Sequence, residues 1–194
     1  MKKVGGALAV AVALGAGAIY LTRGAAPDPP RAAAMEAVNA PEPPLVDPAP
    51  YLAAFPLTPL EAPLIAGTTP AARALNAALE PYRKGDYVAA ASALDSVRMD
   101  HPDDATAALY LGISRLFMDE PQNALEILRP LEYGTPPEVA AEAAWYSLVG
   151  IARLRDPSSV EAEAKALCGK GVSSSARACA AVERLANGRA ARSR

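Results

Sequence analysis

A chain of 194 residues has room for one ordinary domain plus extensions, and a net charge of -2 leaves no global positive field to draw it onto nucleic acid. The composition is 52% hydrophobic but 5% aromatic, which suits helices packed through small side chains rather than a sheet of β-branched residues, so the reading is all-α. One histidine and two cysteines fall short of the usual ligand set of a structural zinc site.

At the N-terminus, Lys2 and Lys3 precede an uncharged run from Val4 to Leu21, and Arg23 follows it. That run is near the short end of what crosses a bilayer as a helix. The charge asymmetry keeps the lysines in the cytoplasm, so residues 1–23 read as a signal anchor of a bacterial inner membrane, with the rest of the chain in the periplasm. The alternative is a signal peptide cut after Ala16-Gly17-Ala18 and a secreted product. Gly5, Ala9, Ala13 and Gly17 form a stripe of small residues through which two anchors would pack as a homodimer, although a segment this rich in Ala and Gly also shows such a stripe by chance.

Residues 24–67 form a proline-rich linker: eleven of the 19 prolines lie between Pro27 and Pro63. Frequent proline predicts extended, polyproline-like chain, with short helical turns over Arg31 to Val38. The second half carries Tyr51, Leu52, Phe55, Leu57, Leu60, Leu64 and Ile65, too apolar for a solvated spacer. It either covers apolar surface on the first helices of the following domain or lies in that domain's groove as an internal ligand.

Residues 68–188 read as a helical domain. Thr69-Pro70 is a helix start, with Ala71, Leu75, Ala78 and Tyr82 on one face and Pro81 predicting a kink or an early end. Tyr87 to Arg98, Ala105 to Phe117 behind Asp103 or Asp104, and Glu120-Pro121 to Leu131 give the next three helices. Glu138 to Leu154 is a long Ala-rich helix carrying Trp145, Tyr146 and Leu148, and a partner helix containing Val160, Ala164 and Leu167 ends at Cys168-Gly169. Ser173 or Ser174 caps a last helix that Asn187-Gly188 terminates, leaving residues 189–194 as a basic tail. Arg177, Arg184, Arg189, Arg192 and Arg194 there favour the helix end and solubility, with contact to anionic head groups as the alternative.

One pattern is written twice. Gly85, Ala90, Leu94, Val97 and Pro102 recur thirty-four residues later as Asp119, Ala124, Leu128, Leu131 and Pro136, with Asp119 in place of glycine. Between the copies, Ala108-Leu109-Tyr110-Leu111-Gly112 places a glycine where two helices cross closely. A period of this length marks a helix-turn-helix repeat. The stretch from about 70 to 168 resembles the tetratricopeptide repeat family in its small, aromatic and proline positions, regular in the second repeat and out of register by two or three residues in the third. The resemblance implies a solenoid of about three helix pairs plus a capping helix, which binds a protein partner and catalyses nothing itself.

On that implication the chain is expected to be an envelope scaffold or adaptor with a partner groove on its inner helices, lined by Tyr110, Arg115, Tyr146 and Arg153, since aromatic and arginine side chains carry much interface energy. A second expectation is regulatory: a helix with Trp145-x-x-Leu148 looks like the extracytoplasmic part of some anti-sigma-type membrane proteins, although only Met1-Lys2-Lys3 remain inside the cell to carry a signal. An enzyme is not expected. His101 lies in a polar turn without a nucleophile nearby, Asp100, Asp103 and Asp104 lack the spacing of a calcium loop, and Gly169-Lys170-Gly171 lacks a phosphate-loop context; no cofactor is implied. In an oxidising periplasm, Cys168 and Cys179 are expected to form a disulfide across a short turn, the alternative being two free thiols packed as small apolar groups.

Overall fold

The computed structural model describes residues 47–154 and 157–192. The anchor over residues 4–21, its stripe of Gly5, Ala9, Ala13 and Gly17, the helical turns over 31–38 and Arg194 lie outside the described residues. Among the described residues no helix is long and apolar enough to cross a membrane.

The described residues form eight helices and no strand: α1 (Ala49–Ala54), α2 (Pro70–Arg83), α3 (Tyr87–Asp100), α4 (Ala105–Phe117), α5 (Pro121–Leu131), α6 (Pro137–Ile151), α7 (Val160–Cys168) and α8 (Ser175–Arg192). From α2 onward each helix packs on the next, and α2 also touches α4 as α4 touches α6. The first helices of successive pairs therefore lie side by side, an arrangement compatible with a helical repeat. The first and last helices of the described residues, α1 and α8, also pack on each other.

Local chemistry sets the helix starts. Thr69 Oγ1 accepts from the Ala72 amide at 3.2 Å, Asp86 from Ala89 at 3.0 Å and Asp104 from Ala107 at 2.9 Å, each satisfying an amide that the first turn leaves open. The stops between paired helices are repeated in detail. Gly85 has φ 79° and its amide donates to Tyr82 O, while the Asp86 amide donates to Pro81 O. Thirty-four residues on, Asp119 has φ 59°, its amide donates to Leu116 O, and Glu120 donates to Arg115 O. This is the same left-handed closure of a helix, built once on glycine and once on aspartate, a residue that tolerates the conformation better than most.

The repeated apolar positions are core. Ala90, Leu94 and Val97 of α3 and Ala124, Leu128 and Leu131 of α5 are all buried. Gly112 sits where α4 and α5 approach: a Cβ there would come within 2.6 Å of the Leu128 side chain, so only glycine fits.

Several expectations need correcting. The proline-rich segment contains a helix, α1, because Pro50 falls within its first turn, where a missing amide costs nothing. Helix α2 runs past Pro81 to Arg83; the proline lies in the last turn, and its carbonyl takes the closing bond from Asp86. Ala72, not Ala71, is the buried residue at the start of that helix. Helix α8 continues through Asn187-Gly188 to Arg192 because Arg189 is held by Glu161 of α7 at 2.6 and 2.9 Å. Its start is fixed by Ser175, whose hydroxyl accepts from the Val172 amide and donates to Leu167 O, while Ser174 Oγ is buried without a hydrogen-bond partner. Other expectations hold: α7 ends at Cys168 with Gly169 as its cap, and the left-handed residue of the following turn is Gly171 (φ 69°). The expected disulfide between Cys168 and Cys179 is present, with Cα atoms 4.8 Å apart.

Candidate functional site: a groove filled by the chain's own strap

From Ala54, the last residue of α1, to Ile65 the chain forms a strap, extended from Phe55 onward, across the face formed by the first helices of the pairs. It runs against the repeat order, and the grip begins at α2. Asn76 takes Ile65 with both ends of its amide: Nδ2 donates to Ile65 O and Oδ1 accepts from the Ile65 amide, each at 2.9 Å. Arg83 donates to Pro63 O at 2.7 Å and more weakly to Ala62 O, and Tyr82 Oη accepts from the Leu60 amide at 3.1 Å. On α4, Tyr110 Oη donates to Glu61 O at 2.6 Å. Tyr146 Oη of α6 donates to Thr58 O at 2.7 Å, and Arg153 Nη1, in the turn after α6, donates to Phe55 O at 3.3 Å. On α8, Arg184 donates to Ala54 O at 2.9 Å.

The grip follows the repeat. Asn76 and Tyr110 stand thirty-four residues apart, at one position of successive units, and Tyr146 follows thirty-six further on, in keeping with the slipped register of the third unit. Their bonds fall on Ile65, Glu61 and Thr58, four and three residues apart along the strap. Three to four residues of polyproline-like chain span ~9–12 Å, close to the ~8–10 Å between packed helices, so each inner helix meets a carbonyl of the strap in turn.

Apolar contact adds to these bonds. Phe55 is completely buried, with its ring 5.9 Å from that of Trp145, and Leu57, Leu60, Ala62 and Ile65 pack on the core while Leu64 points outward, 83% exposed. Tyr110 meets Tyr82 edge-on at 4.9 Å, and the aromatic row continues through Tyr87 to a stacked Phe117. Burial, helped by the charge of Glu142, pushes the Tyr110 hydroxyl up to about 12 and raises that of Tyr146; burial likewise raises Tyr82. All three therefore stay protonated at neutral pH and keep their donor capacity. Burial lowers the Arg153 guanidinium, opposed by the charge of Asp119.

Of the four residues that sequence places in the groove, Tyr110, Tyr146 and Arg153 grip the strap. Arg115 does not: its guanidinium pairs with Asp95 of α3 and with Glu120 in the α4–α5 turn, both at 2.9 Å, and serves as a brace between helices. Asn76, Tyr82, Arg83 and Arg184 are groove residues that the sequence reading omits. The signal for Asn76 was available, as a polar residue among Ala72, Leu75 and Leu79 that stands one repeat before Tyr110. Glu142 and Arg177 were also missed. They pair at 2.5 Å beside Trp145, over which Arg177 lies at 5.1 Å from the ring centre. Glu142 Oε2 and Trp145 Nε1 are buried there without a hydrogen-bond partner. Three arginines of α8 are accordingly engaged within the domain: Arg177 with Glu142, Arg184 with the strap and Arg189 with Glu161.

Beside the strap, a cleft of about 730 Å³ opens between Pro59–Ala62 and the α2–α3 turn at Arg83, Lys84 and Tyr87. His101 is an exposed residue at the end of α3, and Asp104 is occupied as the cap of α4. Among the described residues no group of three or more His, Cys, Asp or Glu is placed to hold a metal ion. No protein-family model, curated protein or solved structure matches this chain.

Proposed function

We propose that this chain is a scaffold or adaptor of the bacterial envelope, anchored in the inner membrane by residues 4–21, whose tetratricopeptide-type domain in the periplasm binds a protein partner along the strap face. One observation carries the reading: the face already holds an extended segment, gripped through its backbone by Asn76, Tyr110, Tyr146, Arg153 and Arg184. Bonds to main-chain carbonyls are available from any chain of suitable shape, so a surface that fits the strap fits an incoming segment once the strap yields. The strap is then an intramolecular competitor that lowers the apparent affinity for the partner by the fraction of time it occupies the groove.

A photo-crosslinker at Lys84, beside the open cleft, in the full chain and in intact envelopes tests this. The expected result is a cross-linked protein whose yield rises with Phe55→Ala, which loosens the strap, and falls again when Tyr110→Phe and Tyr146→Phe are added to that variant. A cross-link indifferent to both changes, or none in any variant, overturns the reading. The anchor is tested separately by fractionation and N-terminal sequencing: a membrane-bound chain that retains residues 4–21 is expected, and a soluble chain beginning after Ala18 overturns that part.

A further inference from the structure

The groove holds the strap chiefly through its carbonyls, and proline follows three of those it binds. Seven strap carbonyls accept from groove side chains, whereas two strap amides, those of Leu60 and Ile65, donate to them. The donors are phenol hydroxyls, guanidinium groups and one carboxamide; a guanidinium can only donate, and so meets carbonyls but never amides. A trans peptide points its carbonyl and the following nitrogen in opposite directions, so each carbonyl turned to the groove sends the next residue's nitrogen toward solvent. Three of the carbonyls that the groove binds, those of Phe55, Thr58 and Ala62, are followed by proline, and Pro56, Pro59 and Pro63 are exposed. Proline restricts the residue before it to extended backbone, so it holds these carbonyls in the geometry that presents them to the groove, which reduces the entropy lost on docking. The two amides that meet the groove, those of Leu60 and Ile65, find acceptors in Tyr82 and Asn76.

We infer that the groove selects for proline-punctuated extended segments, and that the partner presents one: a short stretch with prolines two to four residues apart, an aromatic residue at its N-terminal end to take the Phe55 position against Trp145, and no requirement for charge. The inference rests on the reading of this face as a partner groove and specifies the chemistry of what enters it. Selection of this kind comes from preorganisation, since a competitor with alanine in place of proline makes the same contacts but gives up more conformational freedom on docking.

The experiment uses the full chain carrying Phe55→Ala and two synthetic peptides in trans. One has the sequence of residues 50–65; the other is the same with alanine at the positions of Pro56, Pro59 and Pro63. Fluorescence anisotropy is expected to show saturable binding of the first and roughly tenfold weaker binding of the second, with the first weakened when Tyr110→Phe and Tyr146→Phe are added. Equal or tighter binding of the alanine peptide overturns proline selection and leaves the groove as a peptide site. Binding of neither peptide overturns the groove reading itself. Should Phe55→Ala fail to fold, hydrogen exchange in the unaltered chain reads the same competition: an excess of the proline peptide is expected to speed exchange of the Leu60 and Ile65 amides more than the alanine peptide does. Equal acceleration by the two peptides overturns the selection, and no acceleration by either overturns both readings.

Discussion

Helices α2–α5 and helices α6–α8 solve the same packing problem by different means. In the first region α5 starts thirty-four residues after α3, the closing turns at Gly85 and Asp119 match bond for bond, and the buried positions of α3 recur on α5. In the second region α7 starts thirty-nine residues after α5 and is only nine residues long. There the chain relies on specific cross-links: the disulfide, Glu142 with Arg177, Arg129 with Glu163 and Glu161 with Arg189. The contrast follows from register. Units that repeat at thirty-four residues meet through repeated surfaces, whereas α7 and α8, out of that register, are secured by interactions that do not depend on it.

The largest expected separation of the two regions comes from the disulfide. Replacing Cys168 and Cys179 together by alanine removes the constraint on a short loop, for which chain-entropy reasoning gives ~3 kcal/mol. The loss should appear in hydrogen exchange as early opening of α7 and α8, with α2–α5 still protected; uniform loss of protection across all helices would show that the two regions open as one. Gly112→Leu strikes the regular region instead. Leu128 is fully buried and has no room to withdraw from a new side chain, so overpacking should cost ~1–3 kcal/mol in denaturant unfolding and open α4 and α5 first. An unchanged midpoint would mean that the α4–α5 crossing is looser than the structure has it.

A smaller effect of opposite sign is expected at the turn. Asp119→Gly restores the residue found at Gly85 and relieves a left-handed aspartate, which should stabilise by up to ~1 kcal/mol, less the added freedom of the unfolded chain. A destabilisation would indicate that the charge of Asp119 matters to Arg153, the one partner that this turn has in the groove. The smallest effect is electrostatic. The hydrogen bond from Arg189, then that from Lys165, hold the Glu161 carboxyl down at about 2 against an ordinary 4.5. A carboxyl depressed on folding contributes its stabilisation above the ordinary value and loses it as the pH falls toward the folded one. Between pH 4.5 and 2 the last turns of α8 should therefore loosen, ahead of α2–α5, and Arg189→Ala should abolish that step in helicity. With Arg189 mostly exposed, water screens the pair and the change at neutral pH should be small.

What the sequence determined by itself is local: the caps at Thr69, Asp86 and Asp104, the glycine at the close crossing, the period of the two regular units and the two cysteines eleven residues apart on neighbouring helices. These rules act within one helix or between a helix and the next in the chain. The strap was legible only as an apolar stretch without a destination, since extended chain has no internal hydrogen-bond pattern to betray it. That Tyr110 would meet Glu61, and Tyr146 meet Thr58 eighty-eight residues away, was decided by the stack, which sets inner helices at the spacing of three or four extended residues. The same holds for Arg115, drawn to Asp95 and Glu120 rather than to the groove, and for the run of α8 past Asn187-Gly188 under the hold of Glu161. Side-chain type marks which residues can bind, but the direction in which each faces is set by packing between elements distant in the chain, and that information exists only in three dimensions.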